Sequence, residues 1–264
     1  METVIMPEDL VDALPINKGD RVLIASDVTR VCWDALCQKK KFDLNHFIDL
    51  LQDKVGLNGT LLFPTYNWDF CHGAAFDYYK TGSKTGALGK TALRRDDFRR
   101  TKHALYSFAV WGKDSDRLVA MNDANSFKGD TPFDYFYREK AKMIIIDVVP
   151  AHSFTFVHYV EEMVGVDYRF VKSFSGEYRD ENGVSSNRTY KMYVRYLDGD
   201  KATVDNPKQS EWLIKSGAIQ EKKLGDITIG YSDFDHAYHV IEKELKDYKG
   251  RHLVSFTNGG ASND

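Results

Sequence analysis

Cysteine is scarce in this chain. Cys32, Cys37 and Cys71 are the only three in 264 residues, an odd number with no Cys-x-x-Cys spacing, so neither a disulfide framework nor a structural zinc site follows from them. A reducing compartment is expected. Excess charge is lacking too: 36 Lys and Arg stand against 39 Asp and Glu, a formal charge of -3. No overall basic field draws nucleic acid or an anionic membrane, and neither partner is expected. No apolar run approaches the ~20 residues that span a bilayer, and the opening stretch, with Glu2, Glu8 and Asp9 in its first ten residues, has no signal-peptide core. The expected location is cytoplasmic. Walker A, Gly-x-Gly-x-x-Gly and Gly-x-Ser-x-Gly motifs are missing, so kinase, Rossmann dehydrogenase and α/β-hydrolase readings lose their warrant. With 42% hydrophobic and 13% aromatic residues and 6 Pro, global disorder is excluded.

What is present reads as α/β. A helix over Glu8 to Leu14, the turn Asn17 to Asp20 and the apolar run Arg21 to Ala25 open the chain. The spacing of Leu44, Phe47, Ile48, Leu51 and Val55 predicts an amphipathic helix over Phe42 to Val55, capped by Asp43 or Asn45. Gly59 to Pro64 is the next strand, and strand, helix, strand in that order implies a parallel pair. Thr65 to Arg100 is polar, aromatic and glycine-rich, the kind of long irregular stretch that is usually functional. Ser107 to Trp111 and Met143 to Val149 read as strands, with a helix from Ser153 to about Met163. Asp180 to Gly183 reads as a hairpin turn, and Ser210 to Lys215 and Asp233 to Lys249 as helices. The expectation is one domain over 1–264: a central, mostly parallel or mixed sheet flanked by helices, with a β-hairpin excursion at about 176–205 and a frayed tail at 257–264.

Imidazole titrates near neutral pH, and of 8 histidines His72, His103, His152 and His158 stand out. The sharpest pattern is Thr155-x-x-His158-x-x-Glu161, directly after a core strand. On a helix these three share a face, and a carboxylate on one ring nitrogen leaves the other as a base. Glu162, at i+4, rivals Glu161. Ligands in open α/β sheets bind at the carboxyl ends of strands, where this helix begins. The plainer reading is a solvated helix on which His and Glu merely meet. Lys39-Lys40-Lys41 and Arg99 to Lys102 could hold phosphates, or could be solvated runs. His72, His103, His158 and Glu161 also admit a metal-dependent hydrolase, because a helical His-x-x-Glu offers two ligands.

In their order these segments resemble the antibiotic N-acetyltransferase family, founded on the aminoglycoside 3-N-acetyltransferases and unrelated to the GNAT fold. The resemblance runs from about Ile16 to Asp235. It rests on Lys18 to Ile24 with the strand-end Ser26-Asp27, Asn58 to Thr65, Phe76-Asp77, Thr81 to Leu88, Arg100-Thr-Lys-His103-x-x-x-Ser107-Phe108, Gly129 to Pro132 and the Thr155, His158, Glu161 helix.

The resemblance implies an acyl-CoA-dependent N-acyltransferase that passes an acyl group directly to an amine of an amino sugar. Acetyl-CoA or another acyl-CoA is the donor, and no metal takes part. It implies His158 as general base, Glu161 as its orienter, and Thr155 near the carbonyl oxygen. Ser26, Asp27, Val28 and Thr29 at the strand end, with His103, Ser107 and Phe108, would meet the donor. Lys39, Lys40 and Lys41 would carry its phosphates in place of the family's Gly-Gly helix start. The aromatic loop would present Tyr66, Trp68 and Asp77 to the acceptor. The family's Pro after the motif histidine is Ala104 here. Small-molecule partners are expected, with a homodimer left open. The small net charge and the basic stretches favour a nucleotide-linked aminodeoxyhexose of surface-glycan biosynthesis. An aminoglycoside antibiotic is the alternative acceptor. A metal-dependent hydrolase, and a non-catalytic glycan-binding protein, rank below both.

Overall fold

In the computed structural model, which describes residues 4–196, 203 and 206–256, helix α1 (Pro7–Ala13) precedes β1 (Arg21–Ser26), and α2 (Thr29–Cys37) and α3 (Leu44–Val55) lead into β2 (Thr60–Pro64). Helix α3 starts one residue after Asp43 because that carboxylate accepts from the Asn45 and His46 backbone N–H groups at 2.9 and 3.3 Å, satisfying donors that a first turn leaves free. Phe47, Ile48, Leu51 and Val55 form its buried stripe. The stretch after β2 is more regular than expected, although some periodicity over Ala87 to Arg95 is visible in the sequence and a helix falls there. A 3-10 turn (Asp69–His72), β3 (Phe76–Asp77), α4 (Ala87–Ala92) and β4 (Arg99–Arg100) lie within it.

Strand β5 (Phe108–Gly112) is followed by α5 (Ser115–Ala120), α6 (Pro132–Arg138) and β6 (Lys142–Ile146), then by α7 (Pro150–Ser153) and α8 (Phe156–Val164). The hairpin comprises β7 (Arg169–Arg179) and β8 (Ser185–Arg195), paired from Arg169↔Arg195 to Arg179↔Ser185. It therefore begins near 169 rather than 176, its turn falling at Asp180 to Val184. Helix α9 (Asn206–Lys215), β9 (Gln220–Leu224), β10 (Ile227–Asp233) and α10 (Phe234–Tyr248) complete the described chain. Positions 197–202 and 204–205 and the tail 257–264, which were assigned to the excursion and to a frayed end, lie outside the described residues.

The main sheet has the order β4-β5-β2-β1-β6-β10-β9, and β3-β7-β8 form a second sheet. Strand β1 runs parallel to β2 and β6, while β2–β5, β4–β5, β6–β10 and β9–β10 are antiparallel. Alternate side chains of a strand face opposite sides of its sheet, so each central strand feeds two cores. Leu23, Ala25, Leu62, Met143 and Ile145 pack with α6, α8 and α10; Val22, Ile24, Leu61, Phe63, Ile144 and Ile146 pack with α1, α3 and α4. Burial on both faces explains why these strands read as unbroken apolar runs. It also leaves their carboxyl ends as the place where the layers part.

Candidate active site

At those ends lies a cavity of about 380 Å³, bounded by Ser26 at the end of β1, Pro64 at the end of β2 with Tyr66 and Trp68 beyond it, and Thr155 and His158 at the start of α8. A left-handed turn at Asp147 (φ 50°) and Pro150 at the first position of α7 bend the chain out of β6 and back over the sheet edge. The Arg30 guanidinium holds Asp147 at 2.9 Å. On the other side Thr85 staples α4 to the end of β2: its hydroxyl donates to the Pro64 carbonyl at 2.9 Å and accepts from the Tyr66 N–H at 3.1 Å. Gly89 completes that contact, since a Cβ there would collide with the Pro64 carbonyl.

His158 lies in the cavity within a network of buried charges. Its Nδ1 lies 2.8 Å from Glu161 Oε2, and 28% of its side chain is exposed while Glu161 has none exposed. Glu161 is held from two further sides, by Arg169 Nε at 2.7 Å and by the Tyr168 hydroxyl, which donates to Oε1 at 2.9 Å. Burial opposes ionisation of Glu161, but the Arg169 charge, with His158 and Tyr168, holds its pKa below the ordinary value. For His158, burial and the neighbouring Arg169 charge push the pKa down against the pull of Glu161. A neutral ring beside an ionised, acceptor-only carboxylate carries its proton on Nδ1 and a lone pair on Nε2. Of the two acids competing for this place, Glu161 is the one in contact with His158; Glu162 has its pKa raised by burial and faces Lys128.

Among the residues expected from sequence, Ser26, Tyr66, Trp68, Thr155 and His158 line this cavity. Tyr66, Trp68 and Tyr106 pack edge to face, their ring centroids 4.9–6.2 Å apart, and Thr155 stands by the Tyr66 hydroxyl. Other expected residues do not reach it. Asp27 and Thr29 line an adjoining shallow cleft with Arg30 and Trp33, the Asp27 carboxylate accepting from the Thr29 N–H at 2.9 Å. Val28 is buried in the core on the α1 and α3 side. Lys39, Lys40 and Lys41 are exposed beyond α2 and line neither space; Lys41 pairs with Asp43 at 2.6 Å.

His103, Ser107 and Phe108 are buried and engaged internally. His103 Nδ1 accepts from the Leu105 and Tyr106 N–H groups at 3.2 and 3.1 Å. The Ser107 hydroxyl bridges the Thr65 carbonyl and Arg100 Nε, each at 3.0 Å, and Phe108 packs between Tyr66 and Phe133. Asp77 closes a turn by accepting from the Tyr79 and Lys80 N–H groups.

Lys84, Thr85, Tyr106 and Gln209, none of them expected from sequence, also line the cavity, as does His152, one of the four histidines singled out above, which is hydrogen-bonded through Nε2 to Asn206 at 2.8 Å. Among the described residues no three His, Cys, Asp or Glu side chains are grouped to hold a metal ion, and no helix is long and apolar enough to cross a membrane.

Residues 26–246 match the family profile described as aminoglycoside 3-N-acetyltransferase. No curated protein sequence matches the chain. Among solved structures, the fold is similar to AAC-IIIb in its binary complex with CoASH (TM-score 0.74, 15% identity, covering 98% of this chain and 100% of that one). It is also similar to AAC-VIa bound to sisomicin (0.73, 18%, 93% and 99%) and to the YokD protein from Bacillus subtilis (0.71, 18%, 92% and 97%). At such identities the likeness is one of fold.

Proposed function

The chain belongs to the aminoglycoside 3-N-acetyltransferase family and is an N-acetyltransferase, and from that premise we propose that it moves the acetyl group of acetyl-CoA onto the amine of an amino sugar that is not a polycation, such as a nucleotide-linked aminodeoxyhexose. Two ligands of similar folds, CoASH on AAC-IIIb and sisomicin on AAC-VIa, are consistent with a donor and an amino-sugar acceptor meeting at His158. The observation that carries the acceptor class is the charge of the cavity: its described lining holds no carboxylate, while Lys84 and His152 are present. Asp69, the partner of Lys84, lies outside that lining. A polycationic acceptor would be drawn by acidic walls; these walls suit a neutral or phosphate-bearing one.

In the proposed reaction the acceptor nitrogen, as the free amine, attacks the thioester carbonyl, and His158 Nε2 takes the proton that the nitrogen sheds as the C–N bond forms. Glu161 keeps Nδ1 protonated and the ring oriented. Thr155 offers its hydroxyl to the oxygen that gains charge, a contact of the kind worth up to ~3–4 kcal/mol when preorganised. As the C–S bond breaks, the imidazolium returns its proton to the departing sulfur, leaving amide and free thiol.

Thiol release from acetyl-CoA tests the reading, with nucleotide-linked aminodeoxyhexoses run beside aminoglycosides. The nucleotide sugars should show the higher kcat/KM; a preference for aminoglycosides overturns the acceptor assignment and leaves the acetyl transfer standing.

A further inference from the structure

A second cavity, of about 530 Å³, shares no lining residue with the His158 cavity. It lies between the Tyr78-Tyr79 turn, the stretch Leu93 to Lys102, α5 and Glu181. Arg94, Arg95, Arg99, Arg100 and Lys102 face it, against Asp96, Asp116 and Glu181.

Arg100 is the unusual member. Only 3% of it is exposed, and buried charges are normally paired with an opposite charge. Its described partners are all neutral oxygens: Ser107 Oγ on Nε at 3.0 Å, the Tyr78 carbonyl at 3.1 Å and the Thr81 carbonyl at 2.6 Å on one terminal nitrogen, and the Thr65 carbonyl at 3.5 Å on the other. A guanidinium has five N–H donors, so one remains beyond these four. The Phe76 ring, 4.6 Å below, covers one face of the guanidinium. No carboxylate among the described residues touches it, and burial pushes its pKa down to about 10 against the opposing pull of neighbours that include the Asp77 charge. Nearer the surface, Arg94 has no ion-pair partner among the described residues. Arg95 pairs with Asp49 and Asp97, Arg99 with Asp116 and Lys102 with Glu181.

We propose that this cleft is a second ligand site, for a phosphate or pyrophosphate group, which supplies Arg100 with a countercharge closer than Asp77 and draws Arg94, Arg99 and Lys102 around it. Tyr79, 74% exposed at the rim, offers a ring on which a base attached to that group can stack. Arg100 also ties this site to the other: it grips the Thr65 carbonyl next to Tyr66, so an anion here braces the acceptor wall. The site does not depend on which amino sugar is acetylated.

The test is calorimetric titration of the whole protein, free of CoA, with inorganic pyrophosphate at fixed ionic strength. One saturable site is expected. Affinity should fall about tenfold or more in Arg94→Gln/Lys102→Gln, one exposed and one half-buried position whose exchange leaves Arg100 in place, with unfolding curves verifying the fold. Tighter binding of a nucleoside diphosphate that disappears in Tyr79→Ala identifies a nucleotide as the ligand, and equal affinity identifies free phosphate. Absence of saturable binding, or binding that survives the double substitution, overturns the site.

Discussion

His158 Nδ1 stands 2.8 Å from Glu161 Oε2, and because an ionised carboxylate can only accept, that one contact decides which ring nitrogen keeps its lone pair. The carboxylate keeps its own charge because Arg169 Nε lies 2.7 Å from the same oxygen. Arg169 thereby acts on the imidazole twice, by fixing Glu161 and by repelling a proton from the ring.

His158→Ala should lower turnover by about 10²–10⁴, the loss of a positioned base. Raising the pH should recover part of it by deprotonating the amine in solution. Mass spectrometry after incubation with donor alone should find no acylated protein. An acyl adduct on Cys32, Cys37 or Cys71, with His158→Ala still active, would replace direct transfer by a covalent route.

The acid limb of the kcat/KM profile should fall below pH 6.5, since burial and Arg169 depress the His158 pKa and the ring stays a free base where ordinary imidazole is protonated. Arg169→Met should move the limb to higher pH. The acceptor amine adds its own limb at higher pH, unmoved by Arg169→Met; a profile with no ionisation below 6.5 that shifts in Arg169→Met contradicts the assignment of the base.

Glu161→Gln should cost more stability than the loss of one hydrogen bond, because it leaves Arg169, with 5% of its side chain exposed, as an uncompensated buried charge. About 3–5 kcal/mol is expected in urea unfolding. Glu161→Gln/Arg169→Met should recover part of it. A single-variant loss under ~1 kcal/mol would show that Arg169 finds another partner.

Stability should decline in acid through His103, whose pKa burial pushes down to about 4. The unfolded chain binds this proton below about 6.5 and the folded one does not until about 4. The contribution is therefore complete above 6.5 and lost as pH falls between the two, on the order of 3 kcal/mol in all. His103→Asn should flatten the pH dependence of unfolding free energy across that window; an unchanged slope would assign it to other groups.

Trp68→Ala should raise the acceptor KM by roughly 3- to 10-fold, the worth of one aromatic contact, with the donor KM nearly unchanged. Trp68→Phe should restore most of it. A lowered melting temperature with intact acceptor kinetics would make Trp68 a packing residue.

Much of the sheet was legible because strands buried on both faces write apolar runs into the sequence, as β1, β2 and β6 do. Strand β9 left no such trace: it is an edge strand whose residues, Gln-Glu-Lys-Lys-Leu, are mostly exposed. Helix α6 had an unread start signal, Thr131, whose hydroxyl accepts from the Asp134 N–H at 3.3 Å, followed by Pro132 at the first helical position. The contact between His158 and Glu161 followed from helical spacing. Arg169 could not, since it reaches Glu161 on α8 from the first residue of β7 and no short-range pattern links the two. The Arg100, His103, Ser107 motif is spaced by the needs of its own loop, in which each side chain bonds a neighbouring segment. Lys84 and Gln209 enter the cavity through tertiary packing alone, which composition cannot reveal.

Strand β1 sits between β2 and β6, with Val22 opposite both Leu61 and Lys142. During synthesis, one flank of β1 therefore finds its partner within about forty residues and the other waits for more than a hundred. Until residue 146 has emerged, the nascent chain carries an open apolar edge of the kind that templates aggregation. Closing it is a long-range step expected to be slow. Ribosome-bound chains that end before residue 142 should remain protease-sensitive across β1, and protection should arrive only once β6 can dock, just ahead of the helix that carries His158.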